Sequence, residues 1–222
     1  MVEFSDIKGF TFDLDGVITD TAKFHEQAWH ALATELSLPF PDELARQLKG
    51  ISRMDSLQMI LDQGDKSYTD DEKANFAARK NKHYVTLITG LTPNDILPGM
   101  FDFIADIKQK GYVASIASAS KNAPTILKQL GLTDYFIGIV DPSTLAHGKP
   151  NPEIYIKAGE LLKLAPQQII GLEDASAGVK AIQGAGQTAL GIGPAVSQDN
   201  LQLWFADTAS VTLDNIKQQL TQ

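Results

Sequence analysis

Asp13 and Asp15 stand two residues apart at the end of an apolar run, Ile7 to Phe12, and Gly16 follows directly. The run predicts a buried strand. Residues two apart on a strand share a face, and a glycine lets the chain turn away sharply. Two carboxylates are therefore expected at the carboxyl end of a strand, where open α/β sheets bind their ligands. Such a pair suits a nucleophile and a general acid–base partner. An aspartate can take a phosphoryl group covalently and so divide one hard displacement into two easier ones. The competing reading is a strand-to-turn junction with two solvated acids, and the rest of the chain decides between them.

A phosphate dianion is repelled by a carboxylate, by about 4 kcal/mol per unit-charge pair at 4 Å and an effective dielectric near 20. Cations must offset that. Gly171-Leu172-Glu173-Asp174 again places acids at the end of an apolar strand, with no His or Cys nearby. Hard carboxylate oxygens of this kind suit Mg²⁺. Taken alone, Asp174 reads as a cap for the helix beginning near Ser176. Ser118, in Ala117-Ser118-Ala119-Ser120-Lys121-Asn122, leads from a second strand into a helix whose first N–H groups favour an anion. Lys149 lies between Gly148 and two prolines, Pro150 and Pro152, that restrict the local chain. A lone loop lysine is ordinarily solvent-exposed, and Gly148 is expected to loosen the loop that aims this one.

The elements that position these residues follow from periodicity. After the first strand the pattern is helical for a long stretch. Helices are predicted from Ala22 to Leu36, capped by Asp20 or Thr21, from near Asp42, from near Asp55, and from the capping box Thr69-Asp70-Asp71-Glu72 to about Ile88. From Ile96 helices and strands alternate: helix 100–110, strand 112–117, helix 123–130, strand 137–140, helix 152–162, strand 168–172, helix 176–184, strand 188–192, then two helical segments. The expected fold is α/β: a doubly wound parallel-sheet (Rossmann-like) core, residues 1–19 and 93–222, with an inserted all-helical cap, residues 20–92. Hinges are expected near Ile18–Thr21 and Leu91–Pro98. A cap inserted just after reactive acids suggests a lid over them.

Composition narrows the partners. The chain has 222 residues, 43% hydrophobic and 21% charged, with a formal net charge of −8. That suffices for one sizeable core plus a small lid. The acidic balance disfavours non-specific nucleic-acid or anionic-membrane binding, so an anionic substrate needs a local cluster of Lys and Arg. The absence of cysteine excludes disulfides, thiol catalysis and Cys-bound zinc. Residues 1–6 lack a basic start and a long apolar segment, so no signal peptide is expected, and no run approaches a membrane span. The expectation is a cytoplasmic monomer acting on small molecules.

The four core segments, each at a strand end, resemble in order and spacing the four motifs of the haloacid dehalogenase superfamily: Asp13 and Asp15, then Ser118, then Lys149, then Glu173 and Asp174. The resemblance covers essentially the whole chain. It implies phosphoryl transfer through an aspartyl phosphate, with Mg²⁺ held by Asp13, Asp174 and the Asp15 backbone carbonyl, and with Glu173 completing or supporting the shell. A narrower resemblance, to the β-phosphoglucomutase family, is carried by DLDGVITDTAKFHEQAW (13–29), QLKGISRMDSLQ (47–58), ARKNKHYV (78–85), ASASKN (117–122) and GLEDASAG (171–178). It implies interconversion of β-D-glucose 1-phosphate and D-glucose 6-phosphate through a bisphosphate, with glucose 1,6-bisphosphate as phosphorylating activator. The β-anomer preference comes from the resemblance alone.

By the same resemblance Asp13 is phosphorylated and Asp15 moves the sugar hydroxyl proton. His25, Lys49 and Lys80 couple sugar binding to lid closure, Thr21 sits at the hinge, and Gly50, Ser56 and Ala119 complete the substrate contacts. Such an enzyme must grip both ends of a bisphosphorylated sugar. One phosphate is expected at Asp13, Mg²⁺, Ser118 and Lys149. The other is expected at Arg53, which can bind phosphate bidentately, with Ser120, Lys121 and Asn122 opposite. The alternative is a Mg-dependent sugar-phosphate phosphatase of the same superfamily. A silent sugar-phosphate sensor would lack Asp13, Asp15 or Asp174, and a dehalogenase would not need the metal-binding acids.

Overall fold

The computed structural model describes residues 3–48, 51–196 and 201–221. Six strands form one parallel sheet: β1 (Gly9–Phe12), β2 (Val113–Ile116), β3 (Gly138–Ile139), β4 (Ile169–Glu173), β5 (Thr188–Ile192) and β6 (Leu203–Phe205). Their order is β3-β2-β1-β4-β5-β6. The order reverses at β1, so the carboxyl end of β1 is the switch point where such sheets open a crevice. Every residue of β1 and β4 is buried, as expected for a parallel sheet covered on both faces.

Four helices lie between β1 and β2 in the chain: α1 (Ala22–Glu35), α2 (Asp42–Gln47), α3 (Arg53–Leu61) and α4 (Asp70–Ile88). The remaining helices flank the sheet: α5 (Met100–Gln109), α6 (Ala123–Gln129), α7 (Glu153–Leu162), α8 (Ser176–Gly184) and α9 (Leu213–Leu220). Helices α5, α6 and α9 share an apolar cluster with Phe10 and Phe12, whereas α7 and α8 form a second cluster around Tyr155 and Ile182. Trp29, Leu32, Leu57, Ile60 and Ala77 make a third core within the inserted helices. Ala28, Tyr84 and Ile88 instead pack into the sheet's own cluster, which seats the inserted helices on the core.

The two chain crossings run side by side. Thr19 bridges Ile96 antiparallel, the Leu97 N–H donates to the Ile18 carbonyl at 2.8 Å, and Thr19 Oγ1 donates to the Asp95 carbonyl at 2.8 Å. The capping box at Thr69 is present with both of its reciprocal bonds. The start of α1 differs from expectation. Thr21 is the N-cap residue but its side chain caps nothing; its Oγ1 accepts from the Tyr84 hydroxyl at 3.2 Å, and Asp20 is exposed. Helix α3 begins at Arg53, with Ser52 accepting from the Asp55 N–H.

The C-terminal region also departs from the prediction. A sixth strand precedes a short 3₁₀ turn, Thr208–Ser210, and α9, where two helical segments were expected. Three residues are too few to carry a period, and β6 exists because β5 offers an open edge for its backbone. Among the described residues, no helix is long and apolar enough to cross a membrane.

Candidate active site

Phe12 of β1 is level with both Ile116 of β2 and Leu172 of β4. That register delivers Asp13, Ala117 and Glu173 to one edge of the sheet. The Asp13 N–H donates to the Leu172 carbonyl at 3.0 Å, which fixes its backbone. Gly16 then takes φ +77°, and a Cβ there would lie 2.0 Å from Asp174 Oδ2. Only glycine lets the two acid motifs approach so closely.

Lys149 is buried, which sets aside the competing reading of a solvent-exposed loop lysine. Its Nζ donates to Asp13 Oδ1 at 2.8 Å and to Glu173 Oε2 at 2.7 Å. Burial alone would strip its proton, but Asp13 and Glu173 hold the ammonium above its usual range. Nor does Gly148 leave the loop loose. Glu153 Oε2 accepts from the N–H groups of Ala146 and His147 at 2.9 and 3.0 Å, and the Asn151 N–H closes on the Gly148 carbonyl at 3.0 Å. Asp174 does not cap α8, whose N-cap is Ala175 with no side-chain bond.

Carboxylate oxygens of Asp13, Glu173 and Asp174 lie within 4.8 Å of one another. Opposite ligands of an octahedral Mg²⁺ are about 4.2 Å apart, given bonds near 2.0–2.1 Å. The donor set is therefore of the right chemistry and size for a small hard cation. Burial raises the Glu173 carboxyl, as does the neighbouring Asp13 charge, and a cation would relieve both effects.

Asp15 lies on the cavity side with its side chain 27% exposed. Its Oδ1 is buried with no partner among the described residues, and its Oδ2 is 3.9 Å from His25 Nε2. Burial, followed by Asp13, Asp174 and Asp20, pushes its carboxyl well above the ordinary range, with Lys149 opposing.

A cavity of about 210 Å³ opens over the acids and is walled by core and inserted helices together. From the core, Ser118, Ala119, Ser120 and Lys121 reach it. The Ser118 Oγ accepts from the Ser120 N–H at 3.2 Å, which tightens this turn. Asn122 does not line the wall. Its Nδ2 donates to Asn81 Oδ1 of α4 at 2.9 Å, tying core to inserted helices. From the helices, His25, Arg53, Ser56 and Lys80 line the cavity. Thr21 is buried behind it, against Tyr84. Lys49 and Gly50 lie outside the described residues.

Among the described residues, Lys80 of the helical wall has nitrogen and aromatic groups rather than a carboxylate in direct contact. Lys80 Nζ lies 2.7 Å from His25 Nδ1, 4.5 Å from the Trp29 ring and 4.8 Å from the Tyr84 ring. The His25 ring stacks on Tyr84 at 3.9 Å. Burial, then the nearby Arg53, lowers Lys80 to about 7. Burial, then Lys80 and Arg53, pushes His25 well below its usual value. The imidazole is therefore neutral near pH 7, and its 3.9 Å approach to Asp15 is not an ion pair.

Residues 7–186 match the haloacid dehalogenase-like hydrolase family. The chain belongs to that family. It is similar to a β-phosphoglucomutase of Bacillus subtilis (strain 168), 41% identical over 218 residues, which are 97% of this chain and 96% of the relative. A crystal structure of β-phosphoglucomutase from Clostridium difficile superposes with a TM-score of 0.92 at 40% identity, covering 97% of each chain. A phosphorylated carbohydrates phosphatase of Thermotoga maritima is more distant, 27% identical over 79% of this chain and 80% of its own.

Several residues of this haloacid dehalogenase-like site were not legible as such. Tyr155 occupies an apolar position of α7 and reads as core, yet its hydroxyl reaches Glu173 Oε2 at 2.6 Å. Gly178 must lack a side chain, because a Cβ there would fall 2.0 Å from Glu173 Cδ. Trp29, Asn81 and Tyr84 lie inside the motif strings, but nothing in their spacing announces a role. Trp29 and Tyr84 stand four residues after His25 and Lys80 respectively, and that one-turn helical spacing is the local signal.

Proposed function

We propose that this chain is a β-phosphoglucomutase, interconverting β-D-glucose 1-phosphate and D-glucose 6-phosphate through an aspartyl phosphate at Asp13 and a β-glucose 1,6-bisphosphate intermediate. The observation that carries this reading is the shared cavity: Lys149, Lys121 and Ser118 from the core and Arg53 and Lys80 from the inserted helices all meet on it. A phosphatase needs one phosphate site, whereas a mutase needs cationic groups for both ends of a bisphosphate. The 41% identity to a β-phosphoglucomutase over nearly the full length supports the same choice.

Asp13, Asp174 and the Asp15 carbonyl would hold Mg²⁺, with Glu173 in support. The ion would supply charge neutralisation at the transferring phosphoryl group. Asp13 attacks that group while Lys149 holds its carboxylate and offsets the repulsion between anions. Asp15, whose carboxyl is pushed above its ordinary range by burial and the neighbouring Asp13, Asp174 and Asp20, gives a proton to the departing sugar oxygen. It later takes a proton from the hydroxyl that receives the phosphoryl group back. Arg53, with Ser120 and Lys121, binds the other phosphate, and the intermediate turns end for end because both ends bear phosphate. Residues 20–92 act as the lid, hinged at Thr21, and closure excludes water from the aspartyl phosphate. Sugar phosphates are the only partners this reading requires.

The test is incubation with Mg²⁺, β-glucose 1-phosphate and a trace of glucose 1,6-bisphosphate, with glucose 6-phosphate and inorganic phosphate measured together. Rapid glucose 6-phosphate formation with little free phosphate is expected. Mostly free phosphate would replace the mutase by a sugar-phosphate phosphatase.

A further inference from the structure

A buried polar circuit runs behind the acids. Tyr155 is fully buried on α7. Its hydroxyl donates to Glu173 Oε2 at 2.6 Å. The same oxygen accepts from Lys149 Nζ at 2.7 Å, and Lys149 Nζ continues to Asp13 Oδ1 at 2.8 Å. The backbone of Tyr155 is anchored as well. Its carbonyl accepts from Gln187 Nε2 at 2.7 Å, and Gln187 Oε1 accepts from Thr11 Oγ1 at 2.7 Å. Thr11 lies on β1, two residues before Asp13. The circuit leaves β1 at Thr11 and returns to it at Asp13 by way of α7 and β4.

Filling the space under α7 requires only the ring of Tyr155. A buried hydroxyl must in addition find a partner, and here it takes the oxygen on which Lys149 rests. The terminal torsion of a glutamate is soft, so the lysine alone does not fix the Glu173 carboxylate. Two neighbours do: the Gly178 backbone, which leaves no space for even a Cβ, and the Tyr155 hydroxyl. Lys149 can hold Asp13 and Glu173 at once only while that carboxylate stays in place.

We propose that Tyr155 is a positioning residue for phosphorylation of Asp13: its hydroxyl locks Glu173, and Glu173 holds Lys149 against the Asp13 carboxylate. This rests on the reading of Asp13 as the phosphoryl acceptor.

Tyr155→Phe keeps the ring and removes only the hydroxyl. The readout is aspartyl-phosphate formation from acetyl phosphate with Mg²⁺, followed before steady state over a range of donor concentrations. The saturating rate is expected to fall roughly 10- to 100-fold, as for loss of an outer partner of a metal-site carboxylate, while the half-saturating concentration stays put. A packing role would instead leave the rate per folded molecule unchanged. Installing 4-aminophenylalanine at position 155 restores a donor at the same point and is expected to restore the rate. Where Tyr155→Phe folds poorly, 4-fluorophenylalanine at position 155, which fills the hydroxyl's space without a donor, takes its place: a saturating rate roughly tenfold or more below that of the 4-aminophenylalanine protein supports the assignment, and equal rates overturn it. A parental saturating rate in folded Tyr155→Phe also overturns it. The readout precedes the sugar product, so a chain that proves to be a phosphatase still gives the comparison. A parent protein that forms no aspartyl phosphate at Asp13 defeats both readings.

Discussion

Replacing Lys80 by methionine exposes the energetics of an ammonium buried with no carboxylate in contact among the described residues, Asp15 acting on it only from a distance. Lys80 is 3% exposed. Its Nζ has a ring nitrogen of His25 at 2.7 Å and the faces of Trp29 and Tyr84 at 4.5 and 4.8 Å. Burial, then Arg53, brings its pKa from 10.5 to about 7. In the unfolded chain the ordinary value returns. Between pH 7 and 10.5 the unfolded state therefore binds more protons than the folded one, and stability rises with pH. Below about pH 7 both states are protonated and the folded state bears the full penalty.

At 1.36 kcal/mol per pH unit, and allowing for half-protonation near pH 7, this residue contributes a rise of about 2 kcal/mol between pH 7 and 9. Methionine is of similar reach and does not titrate. Urea unfolding of both proteins at pH 7, 8 and 9 gives the difference, in which the groups that do not sense Lys80 cancel. The methionine variant is expected to be the more stable at pH 7, with its advantage shrinking by about 2 kcal/mol by pH 9. A difference that does not change with pH would refute the reasoning, because Lys80 would then keep its proton throughout.

Other substitutions test the remaining contacts. Gly178→Ala drives a Cβ to 2.0 Å from Glu173 Cδ; a stability loss of about 1–3 kcal/mol in thermal unfolding is expected together with slowed labelling of Asp13, and a parental melting temperature would contradict the close approach. Asp13→Asn is expected to abolish the aspartyl phosphate, as seen by mass spectrometry; normal labelling would remove Asp13 as nucleophile. Arg53→Ala is expected to depress mutase turnover more than phosphoryl transfer from acetyl phosphate, because only the former uses a second phosphate site. Equal losses in the two assays would remove Arg53 from that site.

Glu173 shows why the two acid motifs are not equivalent. Its Oε2 is committed to Lys149 and Tyr155, so the charge it contributes is largely spent on holding the lysine. Asp174 instead faces Gly16 at the mouth of the first motif. In the proposed function, Asp174 would hold the cation directly and Glu173 would support it while aiming Lys149.

Much of the architecture was readable before any coordinates. The apolar run before Asp13, the capping box at Thr69 and the alternation of helix and strand after Ile96 each depend on neighbours a few residues away. Helix ends were marked the same way: Gly111 and Gly131, placed after α5 and α6, adopt φ +83° and +71°. Motif order then placed Asp13, Ser118 and Asp174 just beyond strand ends, where the sheet presents them, whereas Lys149 comes from the loop before α7, ten residues past β3. Some contacts were not legible because a distant partner supplies them. Thr21 looks like a helix cap, but Tyr84, 63 residues on, takes its hydroxyl. Asn122 looks like part of an anion-binding turn, but Asn81 takes its amide.

The chain by itself determined which residue types stand at the strand ends and which helices intervene, because periodicity, capping and turn chemistry act over a few residues. Tertiary structure alone decided that Lys149 is buried between Asp13 and Glu173, 136 and 24 residues away in sequence. It alone decided that Lys80 sits among aromatic rings and that the Tyr155 hydroxyl ends on a carboxylate. A charge or hydroxyl is stabilised by whatever lies within a few ångströms of it, and the sheet register and helix packing, not the neighbouring residues in the chain, select those partners.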